Sequence, residues 1–415
     1  MSDQPVKTHL PSIAQLIISI IGLAISLFSA LAFLLIIKLA GTIQPLGGQS
    51  DQSIYVIVWL GVFLSLVAVP SLVLSIRRLA RLPIATSQPR STLISASIAF
   101  LAILPLGYLT YTFPNLLSNP FLKVLISFIM VAVPLWWFIE LGQHQLPKSS
   151  RQRFWGLVNF QIFAGMPLVF LVEIVLFLTA MILGSVWLAN KNEFAPILMT
   201  LQTQLMVDPA NMSTAVIEQF GLLLQNPGIL AAIFFSLAVV TPVVEEFFKP
   251  LALWFFIKRE WSEAEGFSAG LVCGAAFALI ESVSAVASLS QEKWTVLLIA
   301  RVGTGLLHTL TTGLTGWALV SAWKNGNYKR LVGTYLASMS LHGTWNFFAL
   351  MSGLGTNLDF FADYSLTTFS NFAPWVLGVL FAVMLAILYI MNQKIRSTLP
   401  GPPPILPLQQ ETTGN

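Results

Sequence analysis

The 415-residue chain is 56% hydrophobic and only 9% charged, with a mean hydropathy of +0.80. Soluble domains carry about 25% charged residues, so this composition excludes a water-soluble enzyme and describes an integral membrane protein. The single cysteine, Cys273, excludes an internal disulfide and a Cys/His zinc cluster, and the formal charge of +4 has to be read from where the basic residues lie.

A transmembrane helix needs about 20 mainly apolar residues. Ten stretches qualify: 13–37, 53–75, 92–112, 120–141, 164–188, 228–257, 266–288, 295–323, 331–351 and 374–392. The first is longer than the roughly 7–15 apolar residues of a signal-peptide core and is read as a retained helix. Residues 154–163, ahead of Pro167, are expected to lie along the interface. Residues 189–227 are expected to form an external loop, with a short surface helix over Thr214 to Leu224. A second external loop covers 351–373, and Trp187, Trp294 and Trp375 suit interfacial belts. The tail from 394, with Gly401 to Pro404, reads as disordered and proline-rich.

Basic residues sort by loop. Even-numbered connections hold Arg77, Arg78, Arg81 and Arg90, then Lys148, Arg151 and Arg153, then Lys258 and Arg259, then Lys324, Lys329 and Arg330. Odd-numbered connections and their flanks hold only Lys123, Lys191 and Lys293. The positive-inside rule therefore places both termini in the cytoplasm. The net charge reports topology; the partner it implies is the lipid bilayer, not nucleic acid. The fold class is an all-α polytopic transmembrane bundle.

Within the sixth span, Thr241-Pro-Val-Val-Glu-Glu-Phe-Phe-Lys-Pro250 carries three charges in five positions. A charge at bilayer depth costs roughly 2.5–3.5 kcal/mol on insertion scales, so such residues face the protein interior and mark function. The next spans add Glu281, then Arg301 and His308, then His342 and Asn346. At a rise of about 1.5 Å per residue, Glu245, Glu246, Glu281, His308, His342 and Asn346 all fall roughly 16–24 Å from the cytoplasmic ends of their helices. Glu245 and Lys249 have the favourable acid-first spacing of four. Glu246 points about 100° away. Pro242 predicts a kink, while Gly270, Gly274, Gly303, Gly305, Gly313 and Gly316 predict close helix contacts.

No His-Glu-x-x-His zinc helix and no Gly-x-Ser-x-Gly elbow occurs. The residues present suit general-base activation of water: a carboxylate to take the proton, imidazoles to polarise and an amide to hold an oxyanion. Midplane Glu, His and Lys residues also mark ion or solute pathways, so a transporter is the competing reading. A catalytically silent, partner-binding protein is the third.

Glu245-Glu-x-x-Lys249, Phe277-x-x-x-Glu281 and the later histidines resemble the PrsW family of intramembrane proteases, relatives of the type II CAAX prenyl proteases. The resemblance covers residues 228–350 as a four-helix core. It leaves 1–188 and the last span, within 351–393, outside. It implies that Glu245 and Glu246 include the water-activating carboxylate and that His342 and Asn346 activate water or stabilise the oxyanion. Glu281 takes the second-motif position, His308 is a further site histidine, and Lys249, Phe277 and Arg301 support them. Glu281 stands where the prenyl proteases have histidine, which favours the PrsW branch. Glu246 is the favoured base, because Glu245 has the better spacing for Lys249. Relatives are described both as metal-dependent and as glutamic-type. The metal-free mechanism is expected, and a zinc ion would instead fall to Glu246, Glu281, His308 and His342. The implied substrate is a membrane-anchored protein, an anti-sigma factor among the candidates, in a bacterial cytoplasmic membrane.

Overall fold

In hydrocarbon every backbone polar group must be satisfied within its own segment, so long apolar stretches become helices. The computed structural model describes residues 10–43, 48–83, 93–191, 226–256, 261–288, 291–355 and 366–399, with isolated positions between 194 and 223. The expected surface helix over 214–224, the centre of the second external loop and the proline-rich tail lie largely outside the described residues. Among those described, no strand occurs.

The helices are α1 (Leu10–Ile43), α2 (Gly48–Leu79), α3 (Leu93–Thr112), α4 (Pro120–Gly142), α5 (Arg151–Phe160) and α6 (Met166–Ala189). After them come α7 (Pro227–Phe235), α8 (Thr241–Phe248), α9 (Leu251–Phe256), α10 (Glu263–Ser288), α11 (Gln291–Asn325), α12 (Tyr328–Gly355) and α13 (Leu366–Ser397). Asn-Pro pairs start two of them. Asn119 accepts from the Phe121 and Leu122 amides, and Asn226 from the Gly228 and Ile229 amides. In each case proline fills the first helical position, where no donor is needed.

Nine helical stretches among the described residues are long and apolar enough to cross a membrane. Helix α12 is long enough at 28 residues but less apolar, because Ser338, Ser340, His342, Thr344 and Asn346 interrupt it. Two expectations need correction. Residues 154–163 do not form a separate element. Arg151–Leu188 is one continuous helical stretch, re-phased by a π turn at Gln161–Gly165. Its first half is polar because it packs inward. Gln152 donates to Ser12, Asn159 to Ser19, and Gln15 to Ser71, tying α5 to α1 and α2. Trp294 is not a belt residue either: it is fully buried, and its indole donates to Ser127 at 3.1 Å. Trp187 and Trp375 are exposed, as a belt requires.

Helices α10 and α11 form the buried centre, with α4, α12 and α13 packed around them. Small residues set their approach. A Cβ on Gly270 would meet the Thr312 carbonyl and one on Gly274 the His308 carbonyl, so only glycine lets the two backbones touch here. At one end of the bundle Arg330 pairs with Glu263 at 2.9 Å and Arg153 with Glu265 at 3.0 Å, while Lys394 lies 5.3 Å from the Trp317 ring centre. Basic residues from separate connections and the tail thus gather on one side. Helices α1 and α6 present long exposed apolar faces.

Candidate active site

Two irregularities place the carboxylates. A π turn at Ser236–Val240 precedes α8: the Thr241 amide bonds back to the Ser236 carbonyl and so leaves the Leu237 carbonyl without its helical donor. Pro242, lacking an N–H, frees the Ala238 carbonyl in the same way. Both face α12, which supplies a donor to the first. Asn346 donates its amide to Leu237 at 3.0 Å. Gly343 lets its backbone lie on the Ala238 oxygen, where a Cβ would collide. The expected proline kink is therefore a docking joint, and it fixes α8 against the helix that carries His342.

On that joint the charges converge. Lys249 Nζ lies 2.8 Å from Glu245 Oε2 and 2.9 Å from Glu246 Oε1, so the lysine pairs with both glutamates rather than with Glu245 alone. It also lies 2.7 Å from His308 Nδ1 and 3.5 Å from His342 Nδ1, with the Phe277 ring centre 4.7 Å away. Each histidine is gripped from behind by a carboxylate: His308 Nε2 is 2.7 Å from Glu281 Oε2, and His342 Nδ1 is 2.8 Å from Glu246 Oε1. Arg301 completes the Glu281 side at 2.6 Å. The two imidazole rings meet edge to face at 5.1 Å.

These bonds assign the tautomers. An ammonium beside His308 Nδ1 makes that nitrogen an acceptor, so Nε2 carries the hydrogen that Glu281 accepts. His342 donates Nδ1–H to Glu246 and keeps the lone pair of Nε2. That free nitrogen faces Glu245 Oε2 across 3.9 Å. Glu246, His308 and His342 are each 1% exposed, Lys249 0% and Glu245 7%. Glu245 is thus the most accessible of these five, and the Glu281–Arg301 pair, half-buried, forms the more open side.

All the expected site residues except Asn346 join one network. Asn346 spends its amide on Leu237, and among the described residues no hydrogen bond or ion pair links it to the cluster. The hub role of Lys249 was not visible in the sequence, where only its spacing to Glu245 could be read. The signal available was its surroundings, a lysine enclosed in an apolar run. Glu173, on α6, lies within electrostatic range of Glu245, Glu281 and Lys249.

The polar cluster falls inside a segment with a known relationship. Residues 196–387 match the family model described as the PrsW family intramembrane metalloprotease. Residues 196–387 are thus similar to the PrsW family. The PrsW segment takes in α7 to α12, most of α13 and every residue of the polar cluster except Glu173, while α1 to α6 lie outside it. The match supports an intramembrane protease. No curated protein and no solved structure matches the chain.

The PrsW description also names a metal, and the donor set can be tested against it. Glu245, His308 and His342 are buried and offer ligand atoms within 4.8 Å of one another. Two imidazoles and one carboxylate suit zinc, and the carboxylates behind each histidine are the outer shell that zinc ligands usually have. The residues fit. The set differs from the expected one: Glu246 and Glu281 stand behind the histidines, and Glu245 shares the ligand side with them.

Proposed function

We propose that the chain is an intramembrane endopeptidase in which Glu245 activates the water that attacks a peptide bond of a membrane-anchored protein. The observation that carries this reading is the 3.9 Å gap between Glu245 Oε2 and His342 Nε2. It is too wide for a direct hydrogen bond, and one water with two bonds of about 2.8 Å spans it.

A water in that gap gives one hydrogen to Glu245 and the other to His342. Glu245 takes the first proton as the water oxygen bonds to the carbonyl carbon. The same proton then passes to the departing amide nitrogen as the C–N bond breaks. Glu246 acts through His342, holding Nδ1–H so that Nε2 points at the water, while Glu281 holds His308 Nε2–H and leaves Nδ1 to accept from Lys249. Lys249 offsets negative charge on Glu245 and on the oxyanion. A divalent ion, when bound by Glu245, His308 and His342, supplies Lewis-acid catalysis on the carbonyl. Asn346 is a positioning residue: it holds the joint that aims α8.

The transporter reading has less support, because the polar groups close on one another in one network. The test uses full-length protein in lipid vesicles with a membrane-anchored substrate captured on the Glu245→Gln variant. Cleavage by the wild type and loss in Glu245→Gln and His342→Ala support the reading. Equal cleavage by all three overturns it.

A further inference from the structure

Lys249 Nζ lies against donor atoms of Glu245 and His308 that a metal ion at this cluster would need. Three of the four residues around it, Glu245, His308 and His342, are also the residues that could hold a metal. The ammonium approaches His308 Nδ1 to 2.7 Å and Glu245 Oε2 to 2.8 Å. It therefore uses the imidazole lone pair and the carboxylate oxygen that a metal ion would need. The lysine is also completely buried, its ammonium against the Phe277 face, so it is held at the centre at a high effective concentration.

We propose that Lys249 is a resident cation that competes with a divalent metal ion for Glu245 and His308, and so sets how tightly this site binds metal. The inference rests on reading the cluster as the catalytic centre. It explains how one donor set serves two descriptions, metal-dependent and glutamic. With the ammonium in place, both carboxylates of the Glu245–Glu246 pair already face a cation. With a metal on Glu245 and His308, Lys249 keeps Glu246 as its partner at 2.9 Å. Arg301 is committed to Glu281, which holds His308 from the opposite ring nitrogen, so it offers no substitute.

The test is zinc binding by the full-length protein in nanodiscs, measured by competition with a chromophoric chelator and requiring no substrate. Lys249→Met and Lys249→Gln each remove the ammonium, and two variants guard against one failing to fold; thermal unfolding and gel filtration check both. Each is expected to bind one zinc at least tenfold more tightly than the wild type. The gain should vanish in Lys249→Met/His308→Ala, which locates the ion. Lys249→Arg, which keeps a cation, should bind no more tightly than the wild type. Folded Met and Gln variants that bind zinc no better than the wild type overturn the proposal, as does a gain that survives His308→Ala. Because the titration reads no cleavage, its failure leaves the peptidase reading standing, and absence of Glu245-dependent cleavage leaves the titration result standing.

Discussion

Glu245 and Glu246 are neighbours in the chain, yet their surroundings give them different work. Glu246 is enclosed, with Lys249 and the His342 Nδ1–H both on Oε1. Glu245 is paired with Lys249 through Oε2 and looks across a gap at a free imidazole nitrogen. Replacing a general base costs about 10²–10⁴-fold in rate. Glu245→Gln should therefore lose at least about 10²-fold in kcat with little change in KM. Glu246→Gln keeps a hydrogen-bonding amide but can present its NH₂ to His342. It should lower kcat and also lower the thermal midpoint, since Lys249 loses one of two carboxylates. Single-turnover cleavage and thermal unfolding of the two variants separate base from orienter. The residues themselves were legible in the sequence, because a charge in an apolar run is too costly to keep without a partner or a task. Their pairing was not. Spacing favoured Glu245 as the partner of Lys249 and left Glu246 as the base, but a lysine ammonium has three donors and a long stem, and in this fold it reaches both.

At the scale of elements, the short helix α8 matters most. Pro242 announced a break, but no periodicity marks the π turn before it, since that turn depends on Gly343 and Asn346 of a helix much later in the chain. Asn346→Ala removes one hydrogen bond and leaves the Leu237 carbonyl without a donor. Side-chain hydrogen bonds between membrane helices average about 0.6 kcal/mol, so a small loss of stability is expected. The larger effect should be on kcat through the tilt of α8, with Asn346→Asp failing to restore it because a carboxylate cannot donate. Kinetics of the two variants check this. Gly274→Ala puts a methyl group on the His308 carbonyl. Overpacking costs about 1–3 kcal/mol in ordinary cores. Here the backbone itself must move, and with it the imidazole, so the variant should unfold earlier and lose activity together. The glycines of α10 and α11 were readable as a packing signal. The inward polar face of α5 was not, because its partners Ser12, Gln15 and Ser19 are far off in sequence.

For the whole molecule, the family match and the site coincide in α7 to α12, while α1 to α6 lie outside the match without supplying a motif. Leu135 of α4 fills the space over Gly305, and α6 packs on α8, so the N-terminal helices support the site from outside the matched segment. The composition and the ten apolar stretches made the membrane bundle legible. The inside or outside assignment rests on the loop charges alone. Reporter fusions after Asn325 and at the C-terminus should both read as cytoplasmic and a fusion after Asn190 as external; any other pattern removes the topology expectation. The central claim, that Glu245 drives cleavage of membrane-anchored proteins, is tested most directly in membranes from cells expressing either the wild type or Glu245→Gln at equal levels. Mass spectrometry of new protein N-termini is expected to find ends near or within membrane spans that form only with the wild type. Identical sets of N-termini from the two membranes would contradict it.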